Sequence, residues 1–209
     1  QNKNVNTFFV STFILSLQFN TLLSFHLYNI IKEINGGFMG LEVGKVKLEK
    51  YQNDWKEEFK KEKNNLAKIF GEVALEIEHV GSTAIPGLSA KPIIDIALAL
   101  NSLEDFDEFK YYYDNHEDYS IKDTREIGEI LLRKGSESNR THFIHIVKKD
   151  SDRYKNMILF RNYLINNPEE LKVYENLKKE LAIKFKDDRK SYTASKNEFI
   201  TDIINKAKK

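Results

Sequence analysis

The chain has 209 residues, 31% of them charged, with Lys+Arg 33 against Asp+Glu 32. So close a balance excludes a nucleic-acid binder held by bulk positive charge and leaves only local basic clusters to weigh; no general nucleic-acid binding is expected. Cysteine is absent, which rules out disulfide scaffolds, thiolate metal sites and cysteine nucleophiles, and fits a reducing, cytoplasmic location.

Residues 1–38 differ from the rest, being rich in Phe, Leu, Ile, Ser, Thr and Asn with few charges, whereas residues 39–209 are rich in lysine and glutamate. Phe8 to Ile31 has the length of a membrane span, but Gln18, Asn20, His26 and Asn29 interrupt it. A signal peptide would need a basic start and a small-residue cleavage site; only Lys3 precedes the apolar part and no such site is clear. The first methionine is Met39, and Asn35-Gly36-Gly37-Phe38 reads like a translated purine-rich ribosome-binding sequence. The expectation is therefore that residues 1–38 are a non-native apolar extension and 39–209 the domain, with an anchor, a signal or an extra helix as the alternatives. With a start at Met39, no membrane attachment is expected.

Val43 to Lys50 alternates apolar and charged residues and reads as a first strand or an extended arm. Asn53 or Asp54 is placed to cap a helix from Trp55 to Phe70, which Gly71 ends. Val73 to Val80 alternates strongly: Val73, Leu75 and Ile77 make one face of a half-buried strand, Glu76 and Glu78 the other. Gly81 to Leu88 has loop chemistry. Pro92 to Leu100 is a nearly continuous apolar run, as in a strand buried on both faces. A helix follows from about Leu103 to His116 with Ser102 as cap. Strands are expected near Glu129–Lys134 and Thr141–Lys148, joined by the polar turn 135–139. Three helices close the chain, at Arg153–Asn166, from Pro168 to about Lys186, and from Ser191 or Thr193 to about Ala207. The order predicts an α+β fold, a mixed sheet with flanking helices and a helical C-terminal region.

Asp95 is the most informative residue, because a lone carboxylate inside an apolar strand costs several kcal/mol unless it is paired or bound to a cation. A structural ion pair with Lys91, Arg133 or Lys134 is the plain explanation; a metal- or phosphate-handling role beside the glycine loop is the functional one. His142 and His145, three apart in a strand, must face opposite sides, whereas His145 with His79 and Asp95 would make a mixed nitrogen and oxygen metal site. Lys91, Arg133, Lys134, Arg140 and Lys196 are candidates for an anion pocket, since guanidinium forks and ammonium charges both suit phosphate. Lys178-Lys179 reads as an ordinary helix face. Asn139-Arg140-Thr141 matches a glycosylation acceptor only in a secreted protein, and Gly81-Ser82-Thr83 is not a serine-hydrolase nucleophile elbow.

The run Ile77-Glu78-His79-Val80-Gly81-Ser82-Thr83-Ala84-Ile85-Pro86-Gly87-Leu88, continuing through Lys91-Pro92-Ile93-Ile94-Asp95-Ile96, resembles the signature of the GrpB family. So do Leu132-Arg133-Lys134-Gly135, Arg140-Thr141-His142-Phe143-Ile144-His145, Phe160-Arg161-Asn162-Tyr163-Leu164, and Tyr192 with Lys196 and Phe199-Ile200. The resemblance runs from about Leu41 to Lys206. It implies a nucleotidyltransferase-like fold, in a family sometimes fused to dephospho-CoA kinase. By that resemblance Gly81, Ser82 and Thr83 cradle phosphate, with Lys91, Arg133, Lys134, Arg140, His142 and Lys196 completing a nucleotide site. Ser82 and Asp95 are the expected catalytic residues. Asp95, helped by Glu78, His79 or His145, would hold Mg²⁺ or Mn²⁺. The expected activity is transfer of a nucleotidyl or related group from a nucleoside triphosphate to an unknown acceptor. One departure stands out: such enzymes carry a second carboxylate two residues after the first, and here that residue is Ala97. Glu78, Glu76 or Glu129 are the replacements to consider, and the alternative reading is a non-catalytic phosphate-ligand or regulatory module.

Overall fold

The structure is a computed structural model and describes residues 39–209; the expectations about residues 1–38 lie outside the described residues. Gly40–Lys209 form one unit around a five-stranded mixed sheet of order β1-β2-β5-β4-β3. Its strands are β1 (Glu76–Val80), β2 (Ile94–Leu100), β3 (Tyr119–Thr124), β4 (Glu129–Gly135) and β5 (Arg140–Lys148). Only the central β2–β5 pair is parallel; the other pairs are antiparallel. Helices α1 (Asp54–Phe70) and α2 (Asp107–Asp114) come before β3. Helices α3 (Asp152–Asn166), α4 (Pro168–Lys184), α5 (Arg189–Ala194) and α6 (Asn197–Ala207) follow the sheet. The α+β class and helical C-terminal region are as the sequence predicts.

The register fixes which side chains share a face, since strand side chains alternate. Glu76, Glu78 and Val80 of β1 stand with Asp95, Ala97 and Ala99 of β2, with Phe143, His145 and Val147 of β5, and with Glu129, Leu131 and Arg133 of β4. Tyr154, Met157 and Ile158 of α3 pack on this face against Val80, Ala97, Ala99 and Val147. The small residues Ala97 and Ala99 let α3 come close. Beyond it, Phe160 and Leu164 of α3 join Tyr174 of α4, Ile203 of α6 and the loop residues Ile85 and Leu88 in a second apolar cluster. On the opposite face stand Ile94, Ile96 and Leu98, all fully buried, as are Trp55 and Leu66 of α1. Burying each such aliphatic side chain contributes about 1.5–3 kcal/mol.

Several boundaries differ from expectation for definable reasons. Residues 41–49 make only two isolated bridges, Leu41 to Arg140 and Glu49 to Ala90, so they are an arm and not a strand. That arm ties the β4–β5 hairpin to the helical layer, since Val43 N–H donates to Glu137 O and Arg189 N–H to Gly44 O. Asn53 stands at the N-cap of α1 but makes no side-chain cap bond. Before α2, the Ser102 hydroxyl accepts from the Glu104 amide. Strand β3 was not expected; it is a polar edge strand whose only aliphatic residue is Ile121, so it carries no alternating signal. The last expected helix is two, α5 and α6, broken at Ser195-Lys196.

Candidate functional site

Strand β1 ends in Gly81, which turns the chain with φ 69° and ψ −169° into a short 3-10 turn at Ser82–Ala84. A Cβ at Gly81 would lie 2.5 Å from Asp95 Oδ2 and 2.9 Å from Asp95 Cβ. The backbone therefore runs hard against the carboxylate, in a conformation and a space that only glycine tolerates. Because Val80 pairs with Asp95, the loop leaving β1 arrives beside the start of β2. Gly81-Ser82 and Asp95 are brought together by strand pairing.

Asp95 forms the floor of a cleft of about 250 Å³ that reaches Ser82, Lys91, Lys178, Arg189 and Lys196. Four cationic side chains thus surround one carboxylate. Burial drives the ammonium of Lys91 down to about 7, aided by repulsion from Arg189 and Lys196. Burial likewise brings Lys196 to about 8, with Asp95 opposing the shift. Lys178 is 2% exposed and held well below the ordinary lysine value by burial and by Lys196 and Lys91. Its Nζ donates to Ser89 O at 2.5 Å. Tyrosine rings take part of the charge: Lys91 and Lys196 lie 5.3 and 4.5 Å from the Tyr192 centroid, and Lys178 lies 5.2 Å from that of Tyr174.

Behind Asp95 runs a polar chain. His145 Nε2 lies 3.5 Å from Asp95 Oδ1 and its Nδ1 3.0 Å from Glu129 Oε1, while Arg153 contacts the other Glu129 oxygen. Burial alone would raise the Asp95 carboxyl; the bond and charge of His145, with Lys91 and Arg189, outweigh it and hold the group below its ordinary value.

A second chamber of about 630 Å³ meets the cleft at Ser82, Asp95, His145 and Lys196. Met157, Phe160, Ile200 and Ile204 give it apolar walls, and Arg153 and Asn156 supply polar atoms.

Of the residues singled out in the sequence, Gly81, Ser82, Thr83, Lys91, Asp95, His145 and Lys196 border this site. The Thr83 hydroxyl is occupied, 3.0 Å from His79 Nε2. His79 and His142 lie on the other face of the sheet, in register with Ile96 and Ile94. Burial lowers both imidazoles to about 4, and His79 stacks on Phe59 at 4.7 Å. Lys134 is on that face too, paired with Glu62 at 2.5 Å. Arg133 and Arg140 line a separate groove. Missing from the sequence reading were Arg189 and Lys178. Lys179 is the exposed helix-face lysine expected, paired with Glu175, whereas Lys178 is buried. The signal was its spacing, one turn after Tyr174 in the apolar stripe of α4.

The donors do not suit a metal centre held by the protein alone. Among the described residues, Asp95 is the single carboxylate lining the cleft. Glu78 stands beside Ala97 but is bound by Arg161 at 2.7 Å. Glu76 contacts Lys149 and Tyr154, and Glu129 is taken by His145 and Arg153. Among the described residues, no group of three His, Asp or Glu side chains is arranged to hold a metal ion.

The family profile described as "GrpB protein" matches residues 45–206. The chain is 38% identical over 176 residues to the "Glutamate-rich protein GrpB" of Alkalihalophilus pseudofirmus, covering 80% of this chain and 98% of that one. It is 34% identical to the "UPF0157 protein YqkA" of Bacillus subtilis over 79% of its own length, spanning 48% of that longer relative. Among solved structures, that of the conserved protein GrpB from Enterococcus faecalis superimposes with a TM-score of 0.71 at 35% identity, covering 77% of this chain and 96% of that one.

Proposed function

The chain belongs to the GrpB family, and we propose that its cleft binds the phosphate groups of an organic phosphate, a nucleotide being the ligand class that best matches the two chambers. One observation carries the reading: Lys91, Lys178, Arg189 and Lys196 converge on a cleft whose only carboxylate among the described residues is Asp95. Like charges in a poorly hydrated space repel and hold their protons less tightly, as Lys91 and Lys196 do. An anion removes both penalties at once. The apolar chamber beside the cleft suits the organic part of such a ligand, with Gly81-Ser82 at the junction holding phosphate oxygens.

A second reading, transfer of a nucleotidyl or related group, is favoured by the Asp95–His145–Glu129 chain. In that reaction an acceptor hydroxyl attacks a phosphorus atom, pyrophosphate leaves with the broken P–O bond's electrons, and the hydroxyl proton passes to Asp95. His145, backed by Glu129, would orient Asp95, and the lysines would neutralise the leaving group. A divalent ion would have to arrive with the triphosphate, since the protein's own donors do not make a centre for it.

The test is calorimetric titration of the full chain with pyrophosphate and with nucleoside triphosphates, with and without Mg²⁺, followed by pyrophosphate-release assays on Asp95→Asn. Binding that survives chelation of metal and weakens at least about tenfold in Lys196→Gln is the expected result. Binding strictly dependent on Mg²⁺ and indifferent to Lys196 would sink it. Turnover abolished in Asp95→Asn with ligand affinity retained would select transfer over simple binding.

A further inference from the structure

A groove of about 660 Å³ lies next to the cleft and shares Leu131, Phe143, Arg189 and Thr193 with it. Lys122, Arg133, Arg140 and Lys190 also line this groove, and among the described residues no aspartate or glutamate does. Arg140 is only 5% exposed. Burial lowers its guanidinium, Arg133 and Arg189 lower it further, and Glu137 is the one carboxylate whose charge offsets them. Among the described residues, Arg140 Nη1 and Arg133 Nε are buried without a hydrogen-bond partner. Arg189 is held over the Phe143 ring, 4.6 Å from its centroid, which fixes it at the wall between groove and cleft. Three guanidiniums, two of them pressing on Arg140 by like charge and two, Arg133 and Arg140, keeping an unused donor, form a ready-made oxyanion receptor, because the planar fork matches a phosphate group.

We infer that this groove is a second anion site, which binds the phosphate group of a small phosphorylated compound distinct from the one in the cleft. Its size, about 660 Å³, fits a small molecule. A strand of nucleic acid would need positive charge along the surface beyond the groove, and the chain's 33 cations against 32 carboxylates supply no such excess. The site stands whether or not the cleft reading holds. If both hold, the two phosphate-bearing compounds meet across Arg189, with the second as acceptor or effector.

NMR titration of the full chain with inorganic phosphate tests this, using the side-chain amide of Asn197, which lines the groove, and the backbone amide of Ser82, which lines the cleft. The expected result is a saturable shift at Asn197. In Arg133→Gln its apparent Kd rises about tenfold, and in Lys190→Gln, where the side chain is exposed and folding is spared, about threefold, while Ser82 changes less than about twofold. An Asn197 signal that ignores phosphate, or that weakens in step with Ser82 in both variants, overturns the second site. Titration with acetate distinguishes phosphate from any carboxylate; an equal response to acetate overturns the phosphate assignment. Single-stranded oligonucleotides whose affinity grows with length overturn the small-molecule assignment in favour of nucleic acid. A response at Ser82 alone refutes the groove and leaves the cleft reading intact.

Discussion

Replacing Lys91 by methionine should make the ligand-free protein more stable while abolishing its affinity for phosphate. The Lys91 ammonium falls from 10.5 to about 7 on folding, a drop worth roughly 5 kcal/mol against the charged form before screening. Lys91 is partly exposed, so water screens the charge and a net cost of about 1–3 kcal/mol is more realistic. Methionine keeps most of the side-chain volume and forfeits the ring contact with Tyr192, worth about 0.5–1 kcal/mol. The variant should therefore gain up to about 2.5 kcal/mol at pH 7, the cost less that lost contact. The sign with pH follows from proton binding. Between pH 7 and 10.5 the unfolded chain holds the Lys91 proton and the folded one does not, so wild-type stability rises with pH across that window. The variant should lose that part of the rise, keeping the smaller one from Lys196. Urea unfolding followed by fluorescence of the single tryptophan, Trp55, which is fully buried, at pH 7 and pH 9.5 measures both. A variant less stable than wild type at pH 7, with a wild type indifferent to pH, would refute the view that unpaired positive charge is stored in the cleft.

Gly81→Ala should cost about 2–4 kcal/mol and displace Asp95, because its Cβ would meet the carboxylate. Gly87→Ala, also at positive φ (81°) but with nothing within 4 Å of its Cβ, should cost only about 1 kcal/mol; equal losses by urea unfolding would show that strain alone, without the clash, explains Gly81. Leu164→Ala, at a fully buried position among Phe160, Tyr174 and Ile203, should cost about 2–5 kcal/mol in the same assay, and a loss below about 1 kcal/mol would mean that α3 does not anchor the helical layer.

The sequence revealed the middle of the site better than its rim. Asp95 stood out because a carboxylate in an apolar strand demands a reason, and Gly81 because a breaker follows an alternating strand directly. The opposite placement of Glu78 and His79 was also legible, since neighbours in a strand cannot share a face. Only the pairing of Val80 with Asp95 shows that Glu78, and not His79, stands on the Asp95 side. Arg189 could not be found from local pattern, and the local sign of Lys178 was no more than its spacing after Tyr174. Each sits among ordinary surface lysines and arginines in the chain and becomes special only when α4 and α5 fold over the mouth of the sheet. Lys196 has a local cause: the break between α5 and α6 turns its side chain toward Asp95 and the Tyr192 ring. Strand β3 left no trace in the hydrophobic pattern because, of its six residues, Tyr119 alone is buried and Ile121 alone is aliphatic.

Calorimetric titration of pyrophosphate into the metal-free full chain tests the central claim most directly. The account predicts saturable binding that weakens as pH rises from 7 to 9, as Lys91 and Lys196 lose the protons the anion needs, and that weakens at least about tenfold in Lys196→Gln. No binding at pH 7, or binding whose affinity is the same at pH 9 and in Lys196→Gln, would contradict it.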